Sequence, residues 1–146
     1  MATEPMTNFD LQYFLNVPVL PAERAIGHVN SKFVVCNTHP SWMPDDGHWV
    51  AMYFENNSRG FFYDSFGRHP SCLGFEEFMS QNCKQWMYND VQLQSDTSNA
   101  CGHHVVAFCA SKMQGLSYVD YLSIFSDNLY LNDYIVVKWI ELLNRV

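Results

Sequence analysis

The chain has 146 residues, of which 48% are hydrophobic and 16% aromatic, and its formal net charge is −7. This length predicts a single domain over residues 1–146, and the apolar fraction can build a core, which excludes a disordered chain. The acidic balance argues against nucleic acid as the main ligand, because negative charge repels phosphate.

The first residues lack the charged-then-apolar pattern of a secretion signal, and no apolar run is long enough to span a membrane. The cysteines are odd in number, at five, which without a signal predicts free thiols in a reducing compartment. No Cys-x-x-Cys pair is present, so the sequence predicts no structural metal site.

The first half of the chain predicts a short helix, a buried strand and a central strand. Residues 7–15 favour a short helix, and the Pro- and Gly-containing stretch 16–30 favours irregular structure. Residues 32–37 are typical of a buried strand, and a loop with Pro40, Pro44 and Gly47 follows. Residues 48–55 are β-rich and nearly all apolar, which indicates a central strand.

A hairpin then leads into the helical half of the chain. Residues 56–60 predict a turn and residues 61–65 the returning strand. Residues 73–84 predict a helix and residues 88–94 another strand. Residues 100–114 predict a buried helix that ends before Gly115.

Two further helices complete the predicted order. Ser117 and Asp120 resemble a capping box, which predicts a helix from about residue 118, and Asn132 is a candidate N-cap for the last helix. Helices mixed with a small, mostly antiparallel sheet predict an α+β fold.

Cys101 is the first candidate for chemistry, because it lies at the start of the predicted apolar helix after a polar turn. The helix dipole and unpaired amides at such a position favour the nucleophilic thiolate. Gly102 would let a substrate backbone come close. The alternative is a buried structural cysteine.

His48 and Asp64 are expected to meet across the hairpin. If the turn is centred near Asn57, the strand partner of His48 falls at residues 64–67. A carboxylate beside an imidazole holds it in one tautomer and stabilises its charged form. The alternative is that each side chain is simply solvated.

Two other residues are candidates for roles around this centre. Gln94 lies seven residues before Cys101 at the end of the predicted strand, and its amide could stabilise an oxyanion, with Gln92 as a competitor. Trp49 should point away from His48 and could cover a narrow channel, or it is a core tryptophan. His103 and His104 are interpreted as helix-packing residues, since two ligands make no metal site.

Three motifs stand in a fixed order: His48-Trp49-Val-Ala-Met-Tyr-Phe, then Phe61-Phe-Tyr-Asp64-Ser-Phe-Gly67, then Gln94-x3-Ser98-x2-Cys101-Gly102. In this order and spacing the chain resembles the adenovirus-type cysteine endopeptidases, most of all those carried by Polinton/Maverick elements and adintovirus-like viruses. It is more distantly similar to Ulp-type SUMO proteases. The resemblance covers about residues 30–140.

The resemblance implies an α+β, papain-like and adenain-like fold with the nucleophile at the start of a central helix. It implies that Cys101 attacks, His48 is the base, Asp64 orients it, and Gln94 forms an oxyanion hole with the Cys101 backbone. Trp49 matches an aromatic residue that helps to confine a glycine-containing substrate.

The resemblance also implies partners and a location. Family substrates are capsid and core precursors cut at glycine-containing sites, which implies a role in virions and in the host nucleus or cytoplasm. Adenovirus members are stimulated by DNA and by a viral peptide disulfide-linked to a cysteine. Cys83 matches the position of that cysteine, although a buried helix thiol is the alternative. The charge of −7 departs from the basic adenovirus enzymes and argues against DNA stimulation.

Two other functions stay open at this point. The chain could remove ubiquitin-like modifiers that end in Gly-Gly, or it could bind glycine-rich tails without cutting them. The presence of Cys, His, Asp and Gln in the expected order argues against the binder.

Overall fold

One mixed sheet runs through the computed structural model, which describes residues 4–42 and 47–144. Its strands lie side by side in chain order: β1 Val19–Leu20, β2 Phe33–Asn37, β3 Trp49–Phe54, β4 Arg59–Tyr63 and β5 Gln85–Tyr88. The three central strands are antiparallel, as predicted, whereas β1 and β5 pair in parallel with β2 and β4. β1 was missed because it is only two residues long and lies in a proline-containing stretch.

Helices accompany the sheet in the predicted places. They are α1 Asn8–Leu15, α2 Glu76–Asn82, α3 Cys101–Met113, α4 Tyr118–Ser123 and α5 Leu129–Leu143, with short 3-10 turns at Ala22–Arg24 and Pro70–Leu73. α2 connects β4 to β5, and such a crossover is what permits those two strands to be parallel. The α+β prediction is confirmed, and Pro44 lies outside the described residues.

Apolar side chains cover both faces of the sheet, because neighbouring residues of a strand point to opposite sides. On one face, Ala51 and Tyr63 pack with α1, α3, α4 and α5. On the other face, Met52 and Phe62 pack with α2. The helix that begins at Cys101 is therefore held against the face that carries Trp49.

The β3–β4 hairpin has the predicted register. Ala51 pairs with Tyr63 and Phe54 with Gly60, so the turn is centred on Asn57. Extending the ladder by three residues from Ala51 and Tyr63 puts residue 66 opposite His48. The His48 and Phe66 rings stack there, with centroids 4.7 Å apart.

Two predicted elements are wrong in position. The strand expected at 88–94 is β5 at Gln85–Tyr88, and the segment after it leaves the sheet, because Asn89 turns back to bond the backbone of Asp64. Asn132 is not an N-cap. Asn128 caps α5 by accepting from the Leu131 amide, while Asn132 is buried one turn further on and bonds Leu93 and Ser126.

Candidate active site

Three chain segments deliver the candidate residues to one end of the sheet. His48 lies just before β3, where its amide donates to the Thr38 hydroxyl and its carbonyl accepts from the Thr38 amide. Asp64 lies just after β4, and Cys101 is the first residue of α3. The start of β3, the end of β4 and the N-terminus of α3 therefore meet, and the hairpin register predicted that the first two would lie together.

His48 and Asp64 form a buried pair. The Nε2 atom of His48 lies 2.5 Å from Oδ1 of Asp64, and the two residues are 8% and 0% exposed. A carboxylate can only accept, so Nε2 carries the hydrogen and Nδ1 is left as the basic nitrogen.

Donors surround the Asp64 carboxylate. Besides His48, the Phe66 amide donates to Oδ1 at 3.0 Å, and the Arg68 side chain and amide donate to Oδ2 at 2.9 and 3.2 Å. Burial acts to raise the pKa of Asp64, but the hydrogen bonds from His48, Arg68 and Phe66 outweigh burial, so this pKa lies below its ordinary value. Asp64 is therefore a fixed anion beside the imidazole.

The Cys101 thiol meets the same imidazole. Burial acts to lower the pKa of His48, yet hydrogen bonding with Asp64 and with Cys101 raises it above the ordinary 6.5. Cys101 itself is partly exposed, and no side chain caps the N-terminus of its helix. The helix dipole and the amides of the first turn can therefore act on the sulfur and on a reacting oxygen near it.

Gln94 lies in the segment between β5 and α3, which forms neither helix nor strand. The carbonyl of Ser65 accepts from the Leu93 and Gln94 amides at 2.8 and 3.0 Å, and the Ser65 hydroxyl donates to Oε1 of Gln94. Gly67, at φ +74°, permits this approach, because a Cβ there would lie 2.6 Å from the backbone of Val91.

The amide group of Gln94 points to the loop before Cys101. Its Nε2 donates to the Ser98 carbonyl at 2.9 Å and to the Ser98 hydroxyl at 3.1 Å. Gln92, the competitor, instead donates to Asp96 and to the Gln94 carbonyl. The oxyanion role of Gln94 stays a prediction, and it requires the second Nε2 hydrogen to leave the Ser98 hydroxyl.

Trp49 and Gly102 have a neighbour that the sequence did not indicate, Met6. The Trp49 indole donates to the Met6 carbonyl at 2.9 Å, and Trp49 belongs to the core. A Cβ on Gly102 would lie 2.6 Å from Cβ of Met6. The close approach at Gly102 is therefore made by the chain's own N-terminal segment, and substrate contacts of Trp49 and Gly102 stay predictions.

Beside Trp49 and Met6 lies an open cavity of about 430 Å³. Pro5, Leu20, His39 and Pro40 contribute to its lining. Trp49, which follows His48 in the chain, also lines this cavity, and the lining contains both polar and apolar atoms.

The remaining thiols differ sharply from Cys101. Cys36, Cys83 and Cys109 are buried, and burial raises the pKa of each thiol, for Cys36 to about 12. Cys83 packs against Gly60 and bonds the Met79 carbonyl, so a disulfide to an activating peptide would require this region to open. Its activator role stays a prediction. Cys72 is exposed.

Three supporting residues escaped the sequence analysis. Arg68 and Phe66 act on Asp64 and His48, and Asn89 holds the backbone of Asp64 on both sides, accepting from its amide and donating to its carbonyl. For Arg68 the sequence held a signal, because a cation four residues after Asp64 can reach its carboxylate. For Phe66 and Asn89 it held none, because both lie in loops and no rule says which residues of a loop will meet.

Residues 4–42 and 47–144 contain neither a candidate metal site nor a candidate membrane span. Among the described residues, no three His, Cys, Asp or Glu side chains are grouped so that they could hold a metal ion. None of the helices in those ranges combines the length and apolar character that crossing a membrane requires.

Comparisons with known proteins give a fold likeness and no family. No protein-family model matches the sequence, and no curated protein sequence is significantly similar to it. The central domain of the uncharacterized Lpg1148 protein from Legionella pneumophila has 10% identity and a TM-score of 0.51, over 97% of this chain and 99% of that one.

Two structures of the ASFV pS273R protease are also similar. One has 12% identity and a TM-score of 0.49 over 90% of this chain, and a selenomethionine form has 14% and 0.43 over 72%. The chain spans 66% and 43% of the lengths of these two protease chains.

Proposed function

We propose that the chain is a cysteine endopeptidase with Cys101 as nucleophile, His48 as base and Asp64 as the group that orients the base. The observation that supports this most strongly is that one imidazole lies between a buried carboxylate and a thiol at a helix N-terminus. A thiol of purely structural use has no need of a histidine that is itself fixed by an anion.

The first chemical step needs only these groups. The Cys101 thiol passes its proton to Nδ1 of His48, and Asp64 stabilises the resulting imidazolium through Nε2. The thiolate then attacks the carbonyl carbon of the scissile peptide bond, forming the C–S bond and moving an electron pair onto the carbonyl oxygen.

The second step breaks the peptide bond. The oxyanion accepts hydrogen bonds from the Cys101 amide and from Nε2 of Gln94, which lies next to the loop before α3. His48 returns the proton to the departing amine, which leaves a thioester on Cys101. A water molecule, deprotonated by His48, then hydrolyses the thioester and frees the thiol.

Glycine-containing protein sites are the proposed substrates. The support is the resemblance stated above, with Trp49 directly after the base and packed against the N-terminal segment at Met6. On the same ground we propose precursor proteins of a virus or virus-like element as partners, processed in the host nucleus or cytoplasm and in the virion.

Alkylation tests the nucleophile without knowledge of the substrate. In a Cys72→Ser background, which removes the exposed thiol, iodoacetamide should label Cys101 far faster than Cys36, Cys83 or Cys109, because burial raises the pKa of these three. His48→Ala should slow labelling of Cys101 and leave the slow thiols unchanged. Faster labelling of Cys36 or Cys109 would contradict the assignment.

Covalent probes then separate the substrates. A thiol-protease epoxide should modify Cys101 in the native chain and leave Cys101→Ala unmodified. Ubiquitin and SUMO vinyl sulfones should react poorly if the substrates are glycine-containing precursors. Near-complete labelling by one of them would instead identify a protease for that modifier, and no epoxide adduct at all would support a binder.

A further inference from the structure

A second buried histidine–carboxylate pair joins α3 to α5, and the proposed chemistry does not use it. Nε2 of His104 lies 2.9 Å from Oδ1 of Asp133, and the residues are 0% and 5% exposed. His104 is in the first turn of α3, three residues after Cys101, and Asp133 is in α5. A buried charge is costly unless it is bonded, so this pair calls for an explanation.

The second oxygen of Asp133 bonds the segment that carries Gln94. Oδ2 accepts from the Ser95 hydroxyl at 2.7 Å and from the Ser95 amide at 3.4 Å. The preceding residue of α5, Asn132, donates to the Leu93 carbonyl at 3.1 Å. Two consecutive residues of α5 therefore hold the segment on both sides of Gln94.

The other nitrogen of His104 continues the network to Tyr63, the last residue of β4. Because the Asp133 carboxylate accepts, Nε2 of His104 carries the hydrogen and Nδ1 accepts from the Tyr63 hydroxyl at 3.4 Å. The Tyr121 hydroxyl donates to Tyr63 at 3.1 Å. The network therefore reaches residues directly beside Asp64 and Gln94 and one turn from Cys101.

We propose that Asp133, His104 and Ser95 form a positioning network that fixes the Gln94 amide relative to the Cys101 amide. These three are positioning residues, since they act through Gln94 and touch no reacting atom. One carboxylate binds the helix that carries the nucleophile and the loop that carries the oxyanion donor, so it sets the distance between the two donors. This inference rests on the proposed function.

The network predicts an effect on the oxyanion and none on the thiolate. The segment before Cys101 has no helix or strand of its own, and apart from the contacts with α5 its Gln94 is held by Ser65 and Ser98. Losing the Ser95 bond should therefore loosen the placement of the Gln94 amide. His48 and Asp64 are held by other residues, namely Thr38, Arg68 and Asn89. The activation of Cys101 should therefore survive loss of the network.

Two probes that need different parts of the site test this separation. Iodoacetamide reports the thiolate and needs no oxyanion donor. A peptide ending in glycinal forms a C–S bond to Cys101, and its aldehyde oxygen takes up negative charge and then a proton where an oxyanion would lie. The variants are Ser95→Ala, Asp133→Asn and Gln94→Ala, with Glu141→Gln on the exposed side of α5 as the matched charge control.

The expected result is a selective loss of aldehyde affinity. Ser95→Ala and Asp133→Asn should bind the aldehyde about tenfold or more weakly, approaching the loss for Gln94→Ala, because a single oxyanion donor is worth about 10²-fold or more. Alkylation of Cys101 should stay within about twofold of the unmodified chain in each variant. Ser95→Thr, which keeps the hydroxyl, should restore aldehyde affinity, and Glu141→Gln should change neither probe.

Two results would overturn the proposal. One is aldehyde affinity that is unchanged in Ser95→Ala, and the other is alkylation that falls in parallel with aldehyde affinity, as a general loss of structure would cause. Ser95→Ala decides the matter if Asp133→Asn fails to fold. An unmodified chain whose Cys101 neither alkylates rapidly nor binds the aldehyde would instead overturn the proposed function, and this inference with it.

Discussion

The two buried histidine–aspartate pairs look alike and behave differently. His48–Asp64 and His104–Asp133 each join Nε2 to Oδ1, at 2.5 and 2.9 Å. Yet the pKa of His48 is raised above 6.5, whereas the pKa of His104 is lowered, mainly by its burial. A carboxylate neighbour therefore does not by itself decide whether an imidazole carries charge.

Burial and the neighbours of each ring account for the difference in pKa between the two histidines. Hydrogen bonding with the Cys101 thiol adds to that with Asp64 and raises the pKa of His48. His104 is wholly buried, its other nitrogen meets the neutral Tyr63 hydroxyl, and a charge on His48 further lowers its pKa. One pair can thus exchange a proton with a thiol, and the other is suited to hold backbone segments as a neutral donor.

The comparison predicts its largest effect on turnover. His48→Ala should lower kcat by about 10³-fold or more on a fluorogenic glycyl peptide amide, because the proposed mechanism gives the thiol proton to His48. His104→Gln is the control, since its amide can still donate to Asp133, and it should cost less than about tenfold. Similar losses in both variants would mean that the pairs are not functionally distinct.

A smaller loss is expected when the orienting carboxylate is neutralised. Asp64→Asn should lower kcat by about 10²-fold, less than His48→Ala, because the ring remains but loses the anion that stabilises its charge. The pH profile of kcat should change as well, since the bond from Asp64 helps to raise the pKa of His48. Wild-type kcat in Asp64→Asn would remove Asp64 from the site.

The two histidines should change the pH dependence of the free energy of unfolding in opposite directions. The pKa of His104 is lowered in the fold, so its stabilising contribution is present above pH 6.5 and is lost as pH falls through the folded pKa. The pKa of His48 is raised, so its contribution is fully present below pH 6.5 and is lost as pH rises through the folded pKa.

Urea unfolding as a function of pH measures this difference. From pH 6.5 downwards, His104→Gln should lose stability less steeply than the unmodified chain, whereas from pH 6.5 upwards His48→Gln should lose stability less steeply than the unmodified chain. The contributions of Asp64 and Asp133, whose pKa values are lowered from 3.8, are present above pH 3.8 and are lost only at lower pH. Parallel pH slopes for the two glutamine variants would contradict the opposite pKa shifts.

Only one of the two pairs could be predicted from the sequence. His48 and Asp64 meet through a hairpin, whose register follows from a short turn and two apolar strands. His104 and Asp133 lie 29 residues apart on two helices, and no local rule states which faces of α3 and α5 will touch. The helix-packing interpretation of His104 therefore missed its carboxylate partner.

The segment that carries Gln94 shows the same limit. Residues 88–94 were expected to form a strand, but side chains and carbonyls from distant elements hold this segment, including Ser65, Asn89 and Asn132. Periodicity reports burial along one element and says nothing of such bonds. For the same reason Asn132 was mistaken for an N-cap. The helix that starts at Cys101 depends instead on its local apolar pattern, and its bounds were predicted to within one residue.

Arg68 offers the finest test, because among the described residues the His48–Asp64 pair has a cation beside it and the His104–Asp133 pair has none. Arg68 bonds Asp64 at 2.9 Å, and no Lys or Arg among the described residues forms an ion pair with Asp133. Arg68→Gln should lower kcat by only about two- to threefold, since the guanidinium is 42% exposed and water screens it, while His48 and the Phe66 amide still bond the carboxylate. Arg59→Gln, which removes an exposed ion pair elsewhere, is the control for a general charge effect. A loss as large as that of Asp64→Asn would show instead that the Asp64 carboxylate depends on Arg68 for its charge. Arg68 would then belong with His48 and Asp64 to the group that acts on Cys101.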